Sequence, residues 1–211
     1  MNWNKQNPYL AKITSKKLLS GKQSNKEVFH YEISLGDSGI IYQPGDSLGI
    51  FPVNNNILVR AIINRLQINP KYIPEGYDLN IYELLEKKFE ILTPTNRLIK
   101  FVNDNINHKE LNYSLDTKNI NILMDFKYGK DVLDFMNLDE SLKFDVLHFL
   151  TLLKPLQHRA YSIASSNLIF KNSVHLTVST QRWQKKTRDY DGVCSTFLYD
   201  SCELGDKIKV F

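Results

Sequence analysis

The first fifty residues carry the alternating pattern of half-buried strands. In "EVFHYEISL", from Glu27 to Leu35, aromatic and aliphatic side chains alternate with mostly polar ones, which predicts a strand with one buried face. The mixed apolar and basic run Tyr9–Leu19 predicts a second strand. "SLGIFPV", after a turn at Pro44-Gly45-Asp46, predicts a third. Short strands joined by tight turns indicate an antiparallel barrel or sandwich.

The middle of the chain changes to helical spacing. Apolar residues recur every three or four positions in Asn54–Leu66, where asparagines can cap the start, and again in Asn80–Leu92. Thr93 or Thr95 offers an N-cap to the next helix, with Pro94 near its first turn. "KDVLDFM" and "LDESLKFDVLHFLTLL" predict two more short helices.

Strand patterns return after Pro155. "RAYSIAS" and "SVHLTVSTQRW" predict strands, "QKKTRDYDG" a polar loop, "VCSTFLYDS" a short helix and "DKIKVF" a final strand. A helical insertion within one barrel explains this order, because neither set of strands alone would close a sheet. We predict a mainly β fold with an α insertion: an antiparallel six-stranded barrel from 1–53 and 155–211, and a helical connecting subdomain at 54–154.

Composition and charge exclude several classes of function. The net charge of +4 at pH 7 comes from dispersed lysines, whereas a nucleic-acid surface needs clustered charge. The two cysteines, Cys194 and Cys202, are too few for a disulfide scaffold and form no CxxC pair. No apolar run reaches the length of about 18 residues that spans a membrane, and the N-terminus has no signal-peptide features. We therefore expect a cytoplasmic protein that binds neither nucleic acid nor membrane.

The stretch "QHRAYSIASS", Gln157–Ser166, places a cation, an aromatic ring and hydroxyls at the start of a predicted strand. The guanidinium of Arg159 can neutralise a pyrophosphate, and Tyr161, on the same strand face, can stack on a flat heterocycle. The hydroxyl of Ser162 can hydrogen-bond a ring nitrogen, although a regular strand turns it to the other face. A surface arginine beside a core tyrosine is the alternative reading.

A second polar stretch, "YDGVCSTFL", places Gly192 just before a short apolar helix that begins near Ser195 and Thr196. The backbone N–H groups at a helix start have no intrahelical acceptor and attract an anion. Glycine would let the backbone approach that anion closely. This stretch predicts a phosphate or pyrophosphate site, or else a helix simply capped by Ser or Thr.

Together the two stretches supply a cation, a stacking ring, a hydroxyl and an anion-binding helix start. These are the groups that bind a dinucleotide with an aromatic ring system.

We predict no metal site, because the five histidines are scattered and none has ligand spacing. Cys194 is expected to contribute its backbone and a small side chain; a reactive thiol is the alternative.

Three separate motifs resemble those of the ferredoxin–NADP reductase superfamily and follow one another along the chain in that superfamily's order. "RAYSIASS" is similar to its Arg-x-Tyr-Ser flavin motif, "GVCSTFL" to its FAD pyrophosphate motif and "YQPGDSLGIFPVN" to its Tyr-x-Pro-Gly-Asp segment. The helical insertion resembles that of the diflavin reductases. The stretches "NPYLAKI", "SNKEVFHYEISLGDSGIIYQPGDSLGI" and "LLKPLQHRAYSIASS" look most like bacterial NADPH-dependent sulfite reductase flavoprotein (alpha) subunits.

The resemblance implies FAD as the cofactor and assigns roles to individual residues. Tyr161 would stack on the isoalloxazine, Ser162 would act near flavin N5 as the catalytic residue, and Arg159 would contact the phosphates or ribitol. The other implied FAD-binding residues hold the pyrimidine edge (Thr177, Val178 and Ser179), pack on the nucleotide (Trp183), cradle the pyrophosphate (Gly192, Val193, Cys194 and Ser195) or make further contacts (Ala160 and Tyr128).

The resemblance also implies an oxidoreductase that works with other parts. In such enzymes hydride passes from NADPH to FAD, and electrons then pass to FMN and to the sulfite reductase haem (beta) subunit. Neither a glycine-rich NADPH-binding fingerprint nor an FMN-binding flavodoxin-like domain is found in the sequence. We therefore expect a chain that binds FAD but is inactive alone. It could be an excised domain, the product of a split gene or the product of a truncated reading frame.

Two other functions remain open from the sequence. The same fold could serve another diflavin reductase of the P450 type, or the chain could be a cofactor-free β-barrel that contacts RNA. Lys185 and Lys186 belong to a loop that is either simply solvated or faces an acidic flavodoxin-like partner.

Overall fold

The computed structural model describes residues 3–116, 120–185 and 188–211. They form two compact units. The barrel unit comprises the residues up to Val53 with Gln157–Arg182 and Asp191–Phe211, and the helical unit comprises Asn54–Leu156 with Trp183–Tyr190. Among the described residues, none of the helices combines the length and the apolar character needed to cross a membrane.

The barrel unit contains a six-stranded antiparallel sheet, as predicted. Its strands follow the order β6-β3-β10-β1-β2-β7. Their bounds are β1 (Tyr9–Leu18), β2 (Val28–Ser34), β3 (Ser47–Ile50), β6 (Arg159–Ser162), β7 (Ser173–Ser179) and β10 (Lys207–Val210). The first and last strands of the chain are neighbours, since Tyr9 lies opposite Val210. Both strand regions of the sequence are therefore needed to build one sheet.

Alternation along the strands produces the core of this sheet. In β2, Phe29, Tyr31 and Ile33 are buried, while the residues between them are half-buried on the outer face. β7 pairs with β2 and buries Val174 and Leu176 on the same inner side. The alternation of polar and apolar residues in β2 and β7 is therefore sufficient to place their buried side chains in one continuous apolar layer.

The sheet closes at only one point between its two edge strands. Among the described residues, β6 and β7 are joined by a single bridge, Ile163–Leu176, with a hydrogen bond of 2.8 Å from Ala164 N to His175 O. The predicted barrel is therefore incompletely closed. From this bridge toward Arg159 the two strands present their unpaired edges to each other.

The helical unit is built from capped helices around its own apolar core. Their bounds are α1 (Asn56–Leu66), α2 (Ile81–Lys87), α3 (Asn96–Asn105), α4 (Lys109–Asp116), α5 (Ile120–Lys127), α6 (Val132–Met136) and α7 (Val146–Leu152). The predicted cap of α3 is Thr95, whose hydroxyl accepts from Leu98 N at 3.1 Å. Pro94 consequently precedes the cap and does not lie in the first turn.

Several predicted elements have different bounds. The helix predicted at Asn80–Leu92 ends at Lys87, because β4 (Phe89–Glu90) pairs with β5 (Lys154–Pro155). Only the second half of "LDESLKFDVLHFLTLL" is helical. α4 and α5 were not predicted, because their apolar faces are short.

The polar segment after Trp183 was predicted to be a loop, but the structure shows two paired strands there. β8 (Arg182–Lys185) pairs with β9 (Arg188–Asp191). Its strands were missed because their polar residues carry no period-two apolar signal. Lys186, one of the two lysines considered for partner docking, lies outside the described residues.

A buried charge cluster connects β9 to α6 inside the helical unit. The guanidinium of Arg188 contacts the Asp131 carboxylate at 2.5 Å and the Asp134 carboxylate at 2.7 Å. Asp131 also forms a capping box with Asp134 at the start of α6. The Tyr190 hydroxyl donates to Asp134 at 2.9 Å. Because the Asp131 side chain is only 1% exposed, its charge depends on Arg188.

We predict that Arg188→Ala lowers the free energy of unfolding by about 3 kcal/mol at pH 8, since it leaves the buried Asp131 charge uncompensated. Burial raises the pKa of Asp131 to about 6, against the opposing effect of Arg188. The folded chain therefore holds this proton more tightly than the unfolded chain, and stability falls as pH rises through about 6. Loss of Arg188 raises that pKa further, so the variant should lose less stability at pH 5. Urea unfolding at the two pH values measures this.

The matched control is Lys100→Ala, which breaks the exposed Lys100–Asp104 pair. It should cost about 0.5 kcal/mol or less at either pH. Equal losses for Arg188→Ala at pH 5 and pH 8 would contradict a pH-dependent buried cluster.

Candidate functional site

A cleft of about 370 Å³ lies in the barrel unit, where the edges of β6 and β7 are not bridged. We call it the β6–β7 cleft. It is lined by three separate segments of the chain: Arg159, Ala160 and Tyr161; Thr177, Val178, Ser179 and Gln181; and Gly192, Val193, Cys194 and Ser195. Its size falls within the range of small-molecule pockets.

One wall of the cleft is the edge of β7. Thr177, Val178 and Ser179 pair with β2 through alternate backbone groups, in register with His30, Phe29 and Val28. In an antiparallel strand the remaining N–H and C=O groups point to the opposite side, which here is the cleft. This edge can therefore hydrogen-bond the polar rim of a flat ligand.

The opposite wall carries Arg159 and Tyr161, which share one face of β6. Tyr161 packs against the apolar core, and its hydroxyl is hydrogen-bonded to the thiol of Cys194. The Arg159 guanidinium donates to the carbonyl of Gln157 at 2.9 Å. Tyr161 is thus anchored at its hydroxyl end, and a cation lies beside it.

The third segment turns sharply at Gly192 into α8 (Val193–Thr196), which continues as a π-helical turn, Phe197–Ser201. A Cβ added to Gly192 would lie 2.8 Å from Gln181 Cβ and 3.0 Å from Ser195 Oγ. The Gly192 N–H donates to Gln181 O at 2.8 Å. Only glycine fits this turn without displacing its neighbours.

The start of α8 lacks the side-chain cap that the alternative reading required. Gly192 is its N-cap, and no described side chain caps it. The Ser195 hydroxyl instead accepts from Gln181 N at 3.0 Å, and the Thr196 hydroxyl donates to Gly192 O at 2.6 Å. The N–H groups of the first turn lack intrahelical acceptors by position, so they can receive an anion.

Ser162, Trp183 and Tyr128 are predicted site residues that do not line the β6–β7 cleft among the described residues. Ser162 is exposed, and strand alternation places it opposite Tyr161. Trp183 and Tyr128 belong to the helical unit and line a different groove, of about 480 Å³, together with Lys127 and Lys130. The Trp183 ring stacks on Tyr190 at 5.7 Å.

Gln181 is the cleft residue that sequence reasoning missed. It supplies both the carbonyl that receives the Gly192 N–H and the N–H that donates to Ser195. Because both contacts use backbone groups of Gln181, the identity of its side chain gives no indication that it belongs to the cleft.

Comparison with known proteins defines the class of this chain. Its sequence matches the FAD binding domain family over residues 1–95 and 77–197. The chain therefore belongs to this family of FAD-binding domains, which confirms the resemblance carried by the flavin motifs.

The chain is similar to sulfite reductase (NADPH) flavoprotein alpha-components of several bacteria. It is 30% identical to that of Bacillus subtilis over 100% of this chain and 35% of the relative. The identity is 32% to that of Mannheimia succiniciproducens, with the same coverage, and 30% to that of Escherichia coli, over 99% of this chain and 35% of the relative. The chain thus spans about a third of the length of these relatives.

We predict that neither cysteine reacts readily in the folded chain. Cys194 and Cys202 are each 2% exposed, and burial raises the pKa of Cys194 to about 11 and that of Cys202 to about 12. At pH 7.5 about one thiol in a thousand or fewer is then ionised, and the thiolate is the reactive form. Ellman's reagent should label both thiols in urea and neither within minutes in buffer. Rapid stoichiometric labelling of folded Cys194 would support the reactive-thiol alternative.

Proposed function

We propose that this chain is the FAD-binding module of an NADPH-dependent sulfite reductase flavoprotein, and that the β6–β7 cleft holds its flavin. Residues 1–53 and 155–211 would form the FAD-binding domain, and 54–154 the connecting insertion. One observation carries the proposal: three segments distant in sequence, each selected for its flavin chemistry, line the same cleft.

The donors that Arg159 and the start of α8 supply to the cleft fit a pyrophosphate. Arg159 offers a guanidinium, which binds phosphate oxygens through two parallel hydrogen bonds. Gly192, Val193, Cys194 and Ser195 surround a helix start without a side-chain cap, and a Cβ at Gly192 would fill the close turn. Cation and backbone amides together suit a ligand with two phosphates.

The remaining walls fit a flat ring. The Tyr161 ring, held by its hydroxyl at Cys194, supplies a stacking surface. The edge of β7 at Thr177–Ser179 supplies alternating donors and acceptors for a pyrimidine edge. The contacts of Ala160, Trp183 and Tyr128 with the cofactor stay predictions.

When bound, FAD supplies a ring that can accept a hydride and release electrons singly. Arg159 would neutralise the phosphates, and Tyr161 would hold the ring in place. The hydrogen bond of the Ser162 hydroxyl near the reacting nitrogen stays a prediction from the flavin motif, because this side chain does not line the cleft. The NADPH and FMN sites and the haem (beta) subunit would be supplied by other domains or subunits, in the cytoplasm. The two free cysteines are consistent with a reducing compartment.

The test is a titration of the flavin-free chain with FAD and with riboflavin, followed by flavin fluorescence. We predict that Arg159→Gln weakens FAD binding about 10- to 100-fold, because a charge-assisted hydrogen bond is worth about 1.5–3 kcal/mol. Riboflavin, which has no phosphate, should bind this variant as it binds the wild type. Tyr161→Ala should weaken binding of both ligands, by about 1–3 kcal/mol of stacking.

Two variants provide matched controls. Lys171→Gln changes the net charge as Arg159→Gln does, at an exposed position of the barrel unit outside the cleft, and should leave FAD affinity unchanged. Tyr161→Phe keeps the ring and should retain most of the affinity. A wild-type chain that takes up no FAD, or one whose affinity survives both cleft substitutions, would overturn the proposal.

For Ser162 we predict an effect on rate alone. In the complete reductase, Ser162→Ala should keep its flavin content, because the proposed phosphate and stacking contacts of Arg159, Tyr161 and the start of α8 remain. It should slow reduction of the flavin by NADPH about 5- to 30-fold, the equivalent of one lost hydrogen bond of about 1–2 kcal/mol. Stopped-flow absorbance measures this rate, and equal rates for both proteins would remove the proposed role.

A further inference from the structure

Three potential metal ligands meet on the outer face of the β2–β7 pair. His30 and Glu32 are two residues apart on β2, so their side chains share a face. His175 lies directly opposite Glu32 on β7. We call these residues the His30–Glu32–His175 cluster.

The ligand atoms of this cluster lie close to one another. His30 Nε2 is 3.6 Å from Glu32 Oε1, and the two imidazole rings are 5.1 Å apart in an edge-to-face arrangement. One ligand atom from each residue lies within 4.8 Å of those of the other two. Tetrahedral zinc with bonds of about 2.1 Å needs separations of about 3.4 Å. Small side-chain rotations therefore complete the geometry.

His175, one of the three residues of the cluster, carries an unsatisfied ring nitrogen. Its Nε2 is buried and, among the described residues, has no hydrogen-bond partner. The backbone N–H of His175 donates to the Ser165 hydroxyl at 3.0 Å, and its ring lies 4.1 Å from that of Phe170. A buried nitrogen without a partner is costly and indicates a missing partner. A bound cation would provide one.

We propose that the His30–Glu32–His175 cluster binds a divalent transition-metal ion such as zinc. Two imidazoles and one carboxylate form a donor set that zinc accepts, leaving a fourth position for water. Imidazole nitrogen favours zinc, copper or nickel over magnesium and calcium, which prefer oxygen. The Glu32 side chain is 41% exposed, so an ion can enter from solvent.

This site uses none of the residues that line the β6–β7 cleft. Its test can therefore be made without FAD and does not depend on the proposed function. The sequence predicted no metal site because His30 and His175 are far apart in the chain, and the strand pairing brings them together.

The experiment uses the complete 211-residue chain with any polyhistidine tag removed and metals stripped by a chelator that is then dialysed away. Calorimetric titration with zinc chloride should show one equivalent bound. Cobalt(II) should give the visible ligand-field band of a four-coordinate ion. His175→Ala and His30→Ala should each weaken zinc binding at least about tenfold, whereas magnesium at the same concentrations should not compete.

Two further variants keep the result interpretable. Glu32→Gln removes the carboxylate at a partly exposed position that the fold should tolerate, and it should also weaken zinc binding. His148→Ala removes an exposed histidine of the helical unit and should leave the zinc affinity unchanged. Absence of zinc binding by the wild type, or equal zinc affinity in the wild type and in folded His175→Ala and Glu32→Gln, would overturn the proposal.

Discussion

The separation of β6 from β7 is the constraint on which the candidate site depends. The two edge strands meet at the Ile163–Leu176 bridge and form no other bridge among the described residues. An edge strand keeps unpaired N–H and C=O groups, which proteins usually cover. Here the edges face a cleft with an arginine and a tyrosine on one side. A fully paired barrel would have used those backbone groups internally and left none for a ligand.

The second requirement is that a helix start reaches the same cleft. The chain leaves β7, forms the β8–β9 pair and returns beside Gln181. There the Gly192 N–H donates to the Gln181 carbonyl, and the Gln181 N–H donates to the Ser195 hydroxyl. A side chain at Gly192 would collide with Gln181. Arg182 strengthens this return through ion pairs with Asp191 at 2.9 Å and Asp200 at 2.6 Å. Backbone and side-chain contacts together therefore place the anion-binding amides.

Much of the fold could be predicted because burial imposes a period on the sequence. β2 and α1 were identified from their apolar spacing, since each buries one face against a core. The predictions failed where pairing with a distant segment decides the structure. Phe89 and Glu90 leave the helical pattern to pair with Pro155 and Lys154. The β8–β9 hairpin consists of polar residues whose strands are defined by their mutual hydrogen bonds.

By itself, the sequence determined the class of the protein and the chemistry of its motifs, because residue type and local spacing specify which groups can hold a flavin. Only the tertiary structure decided which of these groups share a cleft. It left Ser162 outside the cleft lining, grouped Trp183 and Tyr128 in the helical unit and brought His30 beside His175. The physical reason is strand register: it is set by packing between segments distant in the chain, and no short stretch of sequence contains that information.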